Sequence, residues 1–495
     1  MLLTQKIVDL HPLSGQRNAG FLIATMAFQD MLYAVGADNK YEPRLAERWE
    51  LSSDAKTYTF HLRKGLKWSD GQPFSSKDVL FTWKMYMTPD ASDQAGKLTT
   101  VKGRKDYVDG KTTTPAGLRA PDDNTFIMEL DEANSALLST FAWPPLPIIP
   151  EHVLSAVAPK DLKTHPFFRA PTTSMGPFRF VRWQPDQFVE LERNPNYWKP
   201  VKADRVFLRE MDPNVAITAL EKGELDIMLT NGDDAARLET LPNIKVESAS
   251  SPGLNKVTFT PEKAPFNDKR VRQAFLYAID RKGIIATVYK GKASIVNTDL
   301  RAPGTVPSGL EEYTYNPTKA KQLLTDAKWD PNYVYKLSFP VGSKDRQAYA
   351  EIIQANLAAV GVKTQLMPLE SGAFQEAITK RTVDGAAVGG GVYTIDGNSL
   401  SAPLNCNRFF PTGENLAWYC NPRVDQLFLQ ARSVTGEAQR NAIYQEIAKI
   451  LNDEVSHLWI NAADSVYARS AKLTGFKPIG DSTTFTVNIA DWGKS

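Results

Sequence analysis

Long apolar runs are missing from this chain. The most apolar stretch near the start, Phe21 to Phe28, is short and interrupted by Thr25, so no membrane-spanning helix is expected. Cysteine is almost absent: Cys406 and Cys420 are the only two in 495 residues. Their spacing is too long for a zinc knuckle and no histidine lies nearby in sequence. A disulfide, half of a metal site and two unrelated thiols all stay open on the residues alone. The five histidines, His11, His61, His152, His165 and His457, are scattered and none pairs at ligand spacing, so no metal site is expected. Neither sign of charge is in excess: 58 Lys and Arg against 56 Asp and Glu leave +2, which gives no reason to expect nucleic acid or an anionic membrane as partner. Catalytic motifs are missing too. There is no Gly-x-Ser-x-Gly, no His-Glu-x-x-His, no Walker loop and no Gly-x-Gly-x-x-Gly after a strand. Ser53-x-x-Lys56 matches a penicillin-enzyme motif in form only, in a turn before a hairpin. The expectation is therefore a protein that is not an enzyme and carries no cofactor. A signal peptide is also missing, since Met1-Leu2-Leu3-Thr4 lacks a basic start and a long apolar region.

What is present reads as alternating strands and helices with enough apolar content, 42%, for substantial cores. The stretch from Leu45 to Phe74 organises the chain. Tyr58, Phe60 and Leu62 alternate with Thr59, His61 and Arg63, the period of a half-buried strand. Leu66 and Trp68 resume it after Lys64-Gly65, and Asp70-Gly71 gives a turn. Ser75 or Ser76 caps a helix carrying Val79, Leu80, Trp83, Tyr86 and Met87 on one side. Further on, residues 178–181 and 188–191 read as a hairpin. Val271, Ala274, Phe275, Ala278 and Ile279 share a helix face. Asn316-Pro317 caps another helix, and a third runs from about Gln347 to Ala359, stopped by Gly361. Residues 362–369 and 458–460 read as strands, and 424–431 and 439–451 as helices.

The order of residues carries more. Ala46, Trp49, Thr57-Tyr58-Thr59-Phe60, Leu62-Arg63, Gly65, Trp68 and Asp70-Gly71 form one long ungapped pattern. To it are added Gly176-Pro177-Phe178, Leu191 to Trp198, Asn267 to Ala274, and Tyr419-Cys420-Asn421-Pro422. This set resembles the family 5 extracytoplasmic solute-binding proteins, the dipeptide, oligopeptide and nickel receptors of ABC importers. The resemblance implies an α/β fold: a two-lobed periplasmic binding protein (type II, cluster C) with an extra inserted domain and a two-segment hinge. Lobe 1 would comprise residues 1–40, 165–260 and 466–495. The extra domain would be 41–164, and lobe 2 would be 261–465. It implies a monomer that captures a small-molecule solute and delivers it to the permease subunits of an ABC transporter. It also implies a periplasmic location in mature form and a disulfide between Cys406 and Cys420. A disulfide closing a loop of this size contributes about 3 kcal/mol in the chain-entropy model.

The ligand assignment rests on Asp384 to Leu404. Residues 386–388 read as a buried strand, Gly389-Gly390-Gly391 stand at its end, and Asn398 or Ser399 caps the helix that follows. Glycines at a strand end admit a ligand close to backbone N–H groups, and with a helix N-terminus this suits an anion. In peptide-binding relatives this stretch carries a Gly-Trp and then an aspartate that captures the peptide ammonium. The aspartate's place falls at Val392 and the tryptophan's at Gly389, so neither is kept, and Asp396 is close but offset. Arg301 lies in a loop that reaches the cleft in relatives and suits a bidentate contact with an anionic group. The ligand set expected is thus Gly389, Gly390, Gly391, Val392, Tyr393, Asn398, Ser399, Arg301, Trp143 and Asn18. Trp143 offers a stacking surface, and Asn18 lies in the loop at the cleft edge. The expected solute is non-standard, a sugar phosphate or an opine-type compound. The competing readings are a di- or oligopeptide receptor of the same family and, behind it, an enzyme or a nickel receptor.

Overall fold

A computed structural model describes residues 1–3, 7, 9–13, 19–142, 145–390 and 395–495. The chain forms two compact units. One contains 1–230, 237–248 and 465–495; the other contains 231–236 and 249–464.

The first unit holds separate apolar cores. One belongs to the segment around the Tyr58 stretch. Strands Ala46–Leu51, Thr57–Leu62, Thr125–Glu129 and Leu118–Asp122 make a four-stranded antiparallel sheet in that order. Tyr58, Phe60 and Leu62 point inward, as their alternation requires, and meet Trp83, Tyr86 and Phe126 in one cluster. Trp83 comes from the helix Ser76–Met87, which starts where the sequence predicts. Ser75 accepts from the Lys77 N–H while Asp78 accepts from the Ser75 N–H, a reciprocal cap. After the helix Ser76–Met87 the chain carries a short helix, Arg104–Val108, before the strand Leu118–Asp122. The rest of the unit has a four-stranded sheet, Leu2–Leu3, Arg205–Glu210, Phe188–Arg193 and Phe178–Gln184, and a three-stranded one, Ile227–Thr230, Ser465–Ser470 and Ile244–Ala249. A buried ion pair, Arg44 Nε to Asp30 Oδ1 at 2.9 Å, stands where these parts meet, and Trp198 donates to the same carboxylate.

The second unit is built on one six-stranded sheet. Its order is Ala293–Ser294, His457–Ala463, Leu254–Thr258, Gly385–Gly390, Val334–Pro340 and Lys363–Leu369. Val334–Pro340 runs parallel to both of its neighbours; Leu254–Thr258 is antiparallel to both of its own. The strand Leu254–Thr258 therefore lies wholly within this unit, whose longer segment runs from 249 to 464. Helices cover the sheet and share a core in which Phe266, Phe275, Tyr335, Tyr349, Tyr444 and Trp459 are all fully buried. Side chains of this size contribute on the order of 1.5–3 kcal/mol each by burial. Cys406 and Cys420 form the disulfide implied by the resemblance, with Cα atoms 4.5 Å apart.

Candidate functional site

In a parallel arrangement of strands, the loops beyond the carboxyl ends gather on one edge and are the usual place for a ligand. Here the strands ending at Pro340 and Gly390 define that edge. The chain leaving Pro340 turns directly into the helix Lys344–Ala359. The strand Leu254–Thr258 begins at the same edge, because it is antiparallel to Gly385–Gly390 and pairs Asn255 with Gly389.

Gly389 is a glycine for a visible reason. A Cβ there would stand 2.5 Å from Asn255 Oδ1 and 2.9 Å from Arg346 Nη2. Any larger residue would push both groups away. The guanidinium of Arg346 thus lies directly against the strand end. It is partly exposed and has no hydrogen bond or ion pair among the described residues. It sits in the first turn of the helix Lys344–Ala359, whose N-cap residue Ser343 makes no side-chain cap, so the first-turn amides also face this edge uncapped.

The groups behind Arg346 are polar and tied to one another. Asn255 Nδ2 donates to Tyr289 Oη at 3.0 Å and to Asn461 Oδ1 at 3.1 Å, and Tyr289 in turn donates to Asp345 Oδ2 at 3.3 Å. Burial, with Asp345 beside it, raises the Tyr289 phenol above its ordinary range, so it remains a donor. This network fixes Asn255 and engages Asp345 but leaves Arg346 untouched. At this edge Arg346 therefore stands without an ion-pair partner among the described residues, beside the first-turn N–H groups of a helix.

The segment after the glycines is oriented otherwise. Asp396, not Asn398 or Ser399, caps the following turn, a short 3-10 helix Gly397–Leu400. Its carboxylate is fully engaged. Oδ1 accepts from the Asn398 N–H at 2.9 Å and from Tyr444 Oη at 2.6 Å, and Oδ2 accepts from Arg440 Nε at 3.0 Å. Asn398 is buried and its Oδ1 accepts from Arg432 Nε at 3.0 Å; Ser399 Oγ donates back to the Asp396 carbonyl. Gly397 is held against the Tyr444 ring, where a Cβ would come within 2.7 Å. These residues pin the turn to the helices Pro422–Arg432 and Glu437–Glu454.

Arg301 lies on a different loop. Its Nη2 donates to Ser250 Oγ at 3.3 Å, and no contact joins it to Gly389 or Arg346. Of the expected ligand residues, the structure thus gathers Gly389 and Gly390 at the strand end and sets Asn398, Ser399 and Arg301 in polar contacts of their own. Asn18, Trp143, Gly391, Val392 and Tyr393 lie outside the described residues. Arg346 and Asn255 were missed by the sequence reading, which began the helix at about Gln347. The signal was present: a Lys-Asp-Arg opening turn right after a strand.

No helix among the described residues is long and apolar enough to cross a membrane, and no group of three His, Cys, Asp or Glu side chains there is placed to hold a metal. The fold is that of a two-lobed binding protein whose second lobe presents an anion-suited strand end. The chain belongs to the bacterial extracellular solute-binding proteins, family 5, whose middle-region model matches residues 40–409. It is 30% identical over 444 residues to an ABC transporter peptide-binding protein of Brucella ovis, covering 87% of this chain and 81% of that one. It is 28% identical over 462 residues to heme-binding protein A of Haemophilus influenzae, covering 88% and 80%. Among solved structures, the ABC transporter substrate-binding protein CtaP of Listeria monocytogenes superposes with a TM-score of 0.88 at 23% identity, over 100% of this chain and 98% of that one.

Proposed function

We propose that this protein is the periplasmic receptor of an ABC importer and that its solute is a small anionic compound, of the sugar-phosphate or opine type, rather than an ordinary peptide. It works as a monomer that hands the solute to the permease subunits, and it performs no reaction on it. The observation that carries the ligand reading is the Arg346 guanidinium, which has no partner among the described residues, against Gly389. A charged fork at a helix N-terminus suits a carboxylate or phosphate group. The engagement of Asp396 supports the same reading from the other side, since that carboxylate is withdrawn from any ligand ammonium.

A second reading, a di- or oligopeptide receptor, is favoured by the name of the Brucella relative, a peptide-binding protein. Arg346 would then hold the peptide carboxylate, but an ammonium anchor must come from elsewhere. A thermal-shift panel separates the two. Sugar phosphates and opine-type compounds should raise the melting temperature of the parent, and Arg346→Gln should abolish that rise. Stabilisation by di- and tripeptides alone would sink the anionic-solute reading.

A further inference from the structure

Two cations open the helix Lys344–Ala359, Lys344 and Arg346, with Asp345 between them. The first turn of a helix favours an acid and disfavours a cation. Asp345 therefore stands where the helix stabilises it, and Arg346 where it does not. Helix stability gives no reason for an arginine at this place.

Asp345 precedes Arg346 directly in the chain and carries the charge that would cancel it. That carboxylate is engaged elsewhere. Tyr289, at the end of the helix Arg281–Val288, donates from Oη to Asp345 Oδ2 at 3.3 Å. A phenol has one proton to give and lone pairs to receive. Asn255 Nδ2 donates to the same phenol oxygen at 3.0 Å, so the proton is directed at Asp345. Asn255 is itself fixed. Its Nδ2 also donates to Oδ1 of Asn461, which is fully buried, at 3.1 Å, and its Oδ1 lies 2.5 Å from where a Gly389 Cβ would stand. A polar chain thus runs from the glycine-bearing strand end through Asn255 and Tyr289 to Asp345. None of its hydrogen bonds reaches Arg346.

Side chains of successive helix residues point apart. Held by Tyr289, the Asp345 carboxylate keeps to its own side of the helix. Released, it is free to swing towards the adjacent guanidinium, and its charge would then oppose any anion approaching Arg346.

We propose that Tyr289 is a positioning residue that sets the charge preference of this site: its hydroxyl holds the Asp345 carboxylate away from Arg346 and so keeps the guanidinium open to an anion. The proposal rests on the reading that Arg346 contacts the anionic group of the solute. Tyr289 acts through Asp345 and not as a contact for the solute.

Equilibrium dialysis of the whole chain tests it with two probes, inorganic phosphate and lactate, one for each kind of anionic group. The parent should bind at least one of them, and Arg346→Gln should not. Tyr289→Phe removes the hydroxyl and keeps the ring that packs on the core. It should weaken binding of that probe about fivefold, the upper range for a partly exposed charge pair. In an Asp345→Asn background the same change should have no effect, because no carboxylate is left to release. A merely structural role would weaken binding equally in both backgrounds. That result, or parent affinity in Tyr289→Phe, would overturn the proposal while leaving Arg346 as the contact. A parent that binds neither probe, or equal binding by Arg346→Gln, would remove the reading of Arg346 and the proposal with it.

Discussion

At the scale of single residues, the account turns on which charges are free and which are held. Asp396 is held. It is almost wholly buried, and cutting it back strands Arg440 and leaves the Tyr444 hydroxyl unpaired. Asp396→Ala should therefore cost roughly 3 kcal/mol of stability, the scale for breaking a buried pair from one side. Urea unfolding reads this directly, while solute affinity per folded molecule should stay close to the parent's. Full stability with lost binding would instead make Asp396 a ligand contact. A second residue-scale prediction concerns acid. Burial lowers the His11 imidazole from 6.5 to about 4, against the pull of the Leu162 carbonyl. The unfolded chain then takes up a proton below pH 6.5 that the folded chain refuses, so stability should fall as the pH drops from 6.5 towards 4. The loss from this site is of order 3 kcal/mol. His457 shifts in the same direction, through burial opposed by Asp299. Asp299 itself would be raised by burial, but His457 and Lys256 more than offset this and hold it well below 3.8, so its contribution is lost only in stronger acid. His11→Gln should flatten the slope between pH 6.5 and 4, seen in urea midpoints. An unchanged slope would show that His11 is protonated in the folded chain.

At the scale of elements, the disulfide closes a loop that has its own internal order. Asn415 is fully buried and donates to the Asn405 and Tyr419 carbonyls, and Phe409 stacks on Trp418 with ring centres 4.7 Å apart. The Arg381 guanidinium lies over the Trp418 ring, 4.0 Å from its centre. Replacing both cysteines by serine should lower stability by about 3 kcal/mol through the unfolded state. Trp418 fluorescence in the native state should be unchanged, because the stack does not depend on the bond. A red-shifted native spectrum would show that it does. These elements also show what the sequence makes legible. Ser75 and Asp78 could be read as a helix start because both partners lie within one turn. The strand Thr57–Leu62 could be read because its alternation is local. The partners of Asp396 could not, since Arg440 and Tyr444 stand 44 and 48 residues further on. Gly389 was recognisable as a place for close approach, but the group that approaches it, Arg346, comes from a neighbouring parallel strand's exit, and strand order is not written in periodicity.

At the scale of the molecule, two compact units with separate cores suit a receptor, and the family and the fold agree on that class. The relatives' names do not agree on a ligand: one is named for peptide and another for heme at nearly equal identity. The feature on which the ligand reading rests is local, an arginine without a partner among the described residues at a glycine-bearing strand end. The most direct test is mass spectrometry of the small molecules released when the protein, purified without added solute, is denatured. The account predicts a single anionic compound carrying phosphate or carboxylate, lost from preparations of Arg346→Gln. A mixture of short peptides, present equally in the parent and in Arg346→Gln, would contradict it.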